Sequence, residues 1–264
     1  MLPPHIQQVV DDMLPRIRAL VDGRYAISIG GSIGRRRFDQ YSDIDFRLFC
    51  DRLLSNSDDW LMMDELGPAI QRWSDQGITI DGCWIRKIED VSAKLDQWCQ
   101  GILIPDDLVW TIWGYYLPTD INNQYVLDDP FGVLAGWKEQ LRQYPAPLKR
   151  SLLKKHFDSV RYWRDDYHYR HKVNRADVVF LAGLSSRLVH DLIQILFALN
   201  ETYYIGDGNN LAYVSQFAHA PENFAAKVEA ILYPGEAGLE QQRERLADLI
   251  NETEALARGL RAVE

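Results

Sequence analysis

The chain has 264 residues, of which 47% are hydrophobic and 25% charged, and its formal net charge is −9. That length allows two modest domains or one large one, each with its own core, and the composition excludes a disordered or fibrous chain. The acidic balance, with no basic tract, argues against a grip on long nucleic acid, which needs several phosphates neutralised; it is compatible with a small, even cationic, acceptor molecule.

No apolar run approaches the ~20 residues that span a bilayer, and the amino terminus lacks the basic and apolar regions of a secretory signal. Cys50, Cys83 and Cys99 show neither zinc-ligand spacing nor a disulfide framework. These readings place the protein in the cytoplasm, with reduced thiols and no membrane partner.

Residues 4–22 carry helical spacing through Ile6, Val9, Val10, Met13, Ile17 and Leu20, with Pro15 marking a kink or boundary. The alternation around Ile27 and Ile29 suits a strand buried on at least one face. Gly30 and Gly31 at its end allow a sharp turn and a close ligand approach that a Cβ would block. Ser32 stands where a helix N-cap would, so its hydroxyl and the following N–H groups are placed to face a phosphate oxygen. Arg35, Arg36 and Arg37 read either as a solvated run or as a source of one cation for a polyphosphate, Arg35 being nearest in sequence. In the next strand, 43–49, Asp43 and Asp45 are two apart and share a side, while Ile44 turns inward. Two carboxylates facing a phosphate cradle repel one another unless a cation lies between, and Mg²⁺ held by carboxylates and substrate phosphates fits.

A helix over 58–76 ends before Gly77, and a strand over 78–85 carries Asp81. Asp81 either opens the turn at Gly82 or supplies a third carboxylate; a charge inside such an apolar run is otherwise costly, which favours the second reading. A helix over 91–100 and an apolar, aromatic core helix over 108–117 follow, then a short strand at 125–127. The Asp128-Asp129 pair after it is a weaker alternative for the third carboxylate and reads better as a turn before Pro130.

From residue 131 the periodicity is helical, with segments at 134–143, 148–171, 174–200, 222–232 and 239–260. The 148–171 segment interleaves aromatic residues with arginines, a pattern that suits base stacking but reads better as an interdomain helix with snorkelling arginines. Asp191 falls beside the apolar stripe of the 174–200 helix, so it needs a partner: an arginine, or an acceptor hydroxyl or cationic amine. The last helix offers a packing or homodimer surface. The expectation is an α+β protein, with a small mixed-sheet domain over 1–130 and an all-helical domain over 131–264.

The combination of strand, Gly-Gly-Ser, a ten-residue connector and Asp-x-Asp opening a second strand resembles the active-site motif of the nucleotidyltransferase superfamily related to DNA polymerase β. The segment 197–207, running from helix to a Gly206-Asp207 turn, is similar to one in the helical domain of bacterial nucleotidyltransferases that modify aminoglycoside and lincosamide antibiotics. Where such relatives carry a lysine after the turn, this chain has Asn209 and Asn210. The resemblance implies two Mg²⁺ ions held by Asp43, Asp45 and Asp81, and a triphosphate, ATP above all, held by Gly30, Gly31, Ser32 and Arg35. It implies transfer of AMP to a hydroxyl of a small, aminoglycoside- or lincosamide-like acceptor; Asp191, from its place beside the apolar stripe, is a candidate contact for such a substrate. Rival readings are nucleotidylylation of a protein or tRNA end, as in toxin–antitoxin systems, and a non-catalytic nucleotide-binding protein.

Overall fold

The computed structural model describes residues 2–54, 61–235 and 237–262. In chain order the elements are α1 (Pro4–Arg18), β1 (Val21–Ile29), α2 (Gly31–Gly34), β2 (Ile44–Leu53), α3 (Leu61–Ser74), β3 (Ile80–Lys87), α4 (Ile88–Cys99), α5 (Leu117–Asn123) and β4 (Tyr125–Asp128). Helices follow: α6 (Val133–Gln140), α7 (Ala146–Asp165), α8 (Tyr167–Asn174), α9 (Val178–Leu199), α10 (Asn210–Val214), α11 (Phe224–Leu232) and α12 (Leu239–Gly259). The architecture is α+β, as expected. The expected 58–76 helix begins partly outside the described residues.

The chain divides into two compact units, and not at one cut near residue 130. The first joins residues 1–97 to 117–143; the second joins 98–116 to 144–264. Residues 131–143 thus belong with the sheet, and 98–116 with the helices.

The first unit is built on a sheet of order β3-β2-β1-β4. β1 runs antiparallel to β2 and to β4, whereas β2 and β3 are parallel and joined through α3. Strand alternation gives this sheet two unlike faces. On one, Ile27, Ile29, Ile44, Phe46 and Leu48 pack with Val9, Met13 and Ile17 of α1 and with Leu66 and Ala69 of α3. Pro15 lies inside α1 without ending it. The other face carries Ser28, Asp45, Arg47 and Trp84. Strand register places Arg47 opposite Ser28 on one side and Trp84 on the other. Here the interior is polar, and Gln124, between α5 and β4, closes it: Ser28 Oγ donates to Gln124 Oε1 at 2.8 Å with both groups buried.

The second unit surrounds α9. Every residue from Val189 to Leu199 is buried, so the second half of the helix is enclosed on all sides. By length and composition alone α9 is also a candidate membrane span, which departs from the expectation that no segment reaches that length; its burial here is that of a core helix. Two other expectations need correction. Residues 108–117 do not form a core helix. They form a loop closed by an Asp106–Tyr115 bridge, in which Val109, Trp110 and Ile112 are exposed. Asp207 fixes it by accepting the N–H groups of Ile112 (2.6 Å) and Trp113 (3.2 Å), and the Trp113 ring stacks on His190 at 4.2 Å. The single helix expected at 148–171 is two helices, because Asp166 leaves the helical conformation and caps α8, accepting from the His168 N–H at 2.7 Å.

Candidate metal and phosphate site

The site begins where β1 ends. The Gly30 N–H donates to the Asp45 carbonyl at 2.9 Å, tying the turn to the start of β2. Gly31 has φ +57°, and a Cβ built on it would lie 1.8 Å from Asp45 Oδ2. The second glycine is therefore required for a reason inside the protein: it makes room for the Asp45 carboxylate itself. At Gly30 a Cβ would crowd Asp120 and Gln124, each at 3.2 Å. The chain then makes one helical turn, α2, with Gly30 as its cap. Ser32 sits inside that turn and is not its cap, which corrects the expected position by two residues. Arg35 follows α2 half-buried and forms no ion pair among the described residues.

Asp43 precedes β2 by one residue and Asp45 is its second. Asp81 comes from β3, at an irregularity in the parallel pairing: Ile44 lies opposite Ile80, but Asp45 lies opposite Gly82, so Asp81 is the extra residue. Gly82, at φ +104°, permits this bulge. Asp43, Asp45 and Asp81 each present a carboxylate oxygen, and these atoms all lie within 4.8 Å of one another. The three sequence-selected acids are thus brought together from the entry to β2, from β2 itself and from neighbouring β3.

Their electrostatics are unfavourable as the chain stands. Burial pushes the Asp45 carboxyl up to about 6; Arg47 opposes the shift, while Asp43, Asp81 and Asp120 add to it. Asp81 is also raised, by burial and then by Asp43. Carboxylates that are half-withdrawn from water and repel one another suit a divalent cation, which would relieve both penalties. The donors are all hard carboxylate oxygens, the set that Mg²⁺ prefers over softer metals.

Beneath Asp45 lies a layer that strand and turn signals did not single out. Arg47 approaches Asp45 at 3.6 Å and Asp120 at 3.8 Å, and Arg86 reaches Asp120 at 4.0 Å. Both guanidiniums lie over the Trp84 ring, at 5.3 and 4.7 Å from its centre. Arg47 was legible in principle, since Asp43, Asp45 and Arg47 alternate along one strand. Asp120 was not, because it arrives from α5, far along the sequence.

The other acids named from sequence lie elsewhere. Asp128 accepts from Arg18 (2.8 Å) and Tyr25 (2.9 Å), and Asp129 accepts from the Val133 N–H (2.7 Å) at the start of α6. Both are structural, so the turn reading holds. Asp191 is buried in the second unit, where His156 Nδ1 and Ser159 Oγ each stand 2.6 Å from its oxygens. Its partners are thus a histidine and a serine, not an arginine. Asn209 caps α10 by accepting from the Ala212 N–H, and Asn210 donates to the Gly206 carbonyl, so the loop after Asp207 is closed on itself.

Residues 118–207 match a family described as a domain of unknown function, DUF4037. The matched segment contains Asp120, Gln124 and Asp207 but none of the three clustered acids. No curated protein matches the sequence. Among solved structures, the chain is similar to a nucleotidyltransferase-like protein from Exiguobacterium sibiricum 255-15, at 10% identity and a TM-score of 0.46, over 96% of this chain and 75% of that one.

Proposed function

We propose that this chain is a Mg²⁺-dependent nucleotidyltransferase that moves a nucleoside monophosphate, AMP from ATP in the first instance, to a hydroxyl of a small acceptor. The observation that carries the reading is the meeting of Asp43, Asp45 and Asp81 within 4.8 Å, one turn from Gly30 and Gly31. The resemblance of the Gly-Gly-Ser and Asp-x-Asp motifs supports it. An aminoglycoside- or lincosamide-like acceptor is the first class to try, on that resemblance alone.

In this reading Asp43 and Asp45 hold the metal and Asp81 completes the set or takes the acceptor's proton. Bound there, Mg²⁺ supplies charge neutralisation and alignment for the transferred phosphoryl group. The backbone around Gly31 and Ser32 orients the polyphosphate. The acceptor oxygen forms a bond to the α-phosphorus, the α–β bridging bond breaks, and pyrophosphate leaves with that electron pair. Most of the rate gain then comes from placement and fixed charge, with little covalent chemistry by the protein.

The test is pyrophosphate release from ATP and Mg²⁺ across a panel of hydroxyl-bearing acceptors. Release that depends on one acceptor class, and vanishes in Asp45→Asn, supports the proposal. ATP binding without release under every acceptor would instead mark a non-catalytic nucleotide-binding protein.

A further inference from the structure

The chain as a whole is acidic, at −9, yet its charge is unevenly spread. Residues 167–175 contain no acid, and they hold Arg170, Lys172 and Arg175 together with His168 and His171. Lys172 is paired with Asp177, whereas Arg170 and Arg175 form no ion pair among the described residues and are exposed. The same corner displays aromatic rings. Tyr162 at the end of α7 is 57% exposed and Tyr167 at the start of α8 is 61% exposed. They belong to two ring groups: Phe180 packs edge-on to Trp163 (5.7 Å) and Trp163 to Tyr162 (5.2 Å), while Tyr167 lies against both His168 (4.0 Å) and His171 (5.1 Å). A hollow of about 80 Å³ beside Tyr167 is lined by Arg164, Arg170 and Arg243, with Asp165 and Asp166 also on its wall. Arg164 and Arg243 are ion-paired with Glu254 and Glu240, whereas Arg170 feels Glu240 only at a distance and makes no ion pair there among the described residues.

We infer that the α7–α8 corner docks a short stretch of single-stranded nucleic acid, with bases stacked on Tyr162 and Tyr167 and phosphates on Arg170 and Arg175. Exposed rings interleaved with exposed cations that form no ion pair are what a strand of bases and phosphates recognises. A duplex hides its base faces, and an acidic peptide offers the cations a partner but the rings none. A bilayer would seat an apolar face, and here the rings are flanked by imidazoles, guanidiniums and the Asp165 and Asp166 carboxylates. The whole-chain charge excludes a long grip and says nothing against a contact a few nucleotides wide. The inference uses nothing from the carboxylate site and is read by binding, so it stands or falls apart from the proposed transfer activity.

The probe is a fluorescein-labelled single strand of about twelve uridines, a length within the range of known single-strand sites. Its anisotropy is followed with the full chain at low salt and at about 150 mM salt. Binding should weaken with salt, and Arg170→Gln with Arg175→Gln should flatten the log–log salt slope by about 0.7 per lost phosphate contact. Tyr162→Ala with Tyr167→Ala should weaken binding by roughly tenfold or more, while the paired Phe variants keep it. The Phe pair also controls for folding, since it preserves the rings. Absence of binding at low salt overturns the inference. So does equal binding of duplex or of heparin with no effect of the Ala pair, and so does capture by phosphatidylserine vesicles without capture of the oligonucleotide.

Discussion

Asp45 and Asp191 are both largely buried carboxylates, and they are held in opposite ways. Asp191 lies in the helical unit with a serine hydroxyl on one oxygen and a histidine nitrogen on the other, each at 2.6 Å. Asp45 lies in the sheet unit with one guanidinium at 3.6 Å and three other carboxylates near enough to raise its pKa. The first is a completed internal contact. The second lacks such close partners, and on the proposed function a cation would supply them. Burial alone did not distinguish them; the chemistry of their neighbours does.

That contrast is open to direct attack. The largest effect should come from Asp43→Asn or Asp45→Asn, which are expected to cut nucleotidyl transfer by about a thousandfold or more, measured as pyrophosphate release. The same Asp45→Asn change should leave thermal unfolding of the metal-free protein unharmed or improved near neutral pH. Gly31→Ala should follow closely. Its Cβ would collide with Asp45, so Mn²⁺ affinity, read by paramagnetic relaxation of water, should fall by about tenfold to a hundredfold while the sheet core survives.

Asp191→Asn should behave in reverse. It disturbs two buried partners and is expected to cost about 3 kcal/mol in urea unfolding, with Mn²⁺ affinity unchanged. If that variant lost cation affinity as severely as Asp45→Asn, the division between the two carboxylates would be wrong.

The most gradual effect is the pH dependence. Asp45 titrates near 6 in the folded chain against an ordinary value of 3.8, so the folded form holds the extra proton between those values. Its contribution to metal-free stability is therefore greatest below about pH 4 and declines as pH rises through 6, by at most about 3 kcal/mol. A divalent cation favours the ionised form. Stabilisation by Mg²⁺ or Mn²⁺ should thus be larger at pH 7.5 than at pH 5, and Asp45→Asn should flatten the difference.

Sequence reasoning reached the three acids because short strands carry local information. Alternation fixes which side Asp43 and Asp45 share, and a charge within the apolar 78–85 run flags Asp81. It reached the glycines but not the Asp45 carboxylate that lies against Gly31, since that approach is a tertiary fact. Asp120 and Arg86 join the site only through strand register and a helix distant in sequence, which no window of neighbouring residues contains. The loop at 108–117 misled for another reason. Its aromatic and aliphatic content resembles a core helix, but Trp113 and Asp207 fasten it in a form that leaves Val109 and Ile112 outside. Asp191 was correctly marked as needing a partner, and the partner could not be named because His156 and Ser159 lie on a different helix.

The first unit is discontinuous in sequence, and this has a consequence for how it is made. By residue 97 the ribosome has delivered all three acids and three of the four strands, yet β1 still has an open edge and Gly30 lacks Asp120 and Gln124 beside it. Those arrive only after nineteen residues of the other unit have emerged. A fragment truncated near residue 100 would hold every candidate ligand and expose an unpaired strand, a setting for aggregation more than for activity.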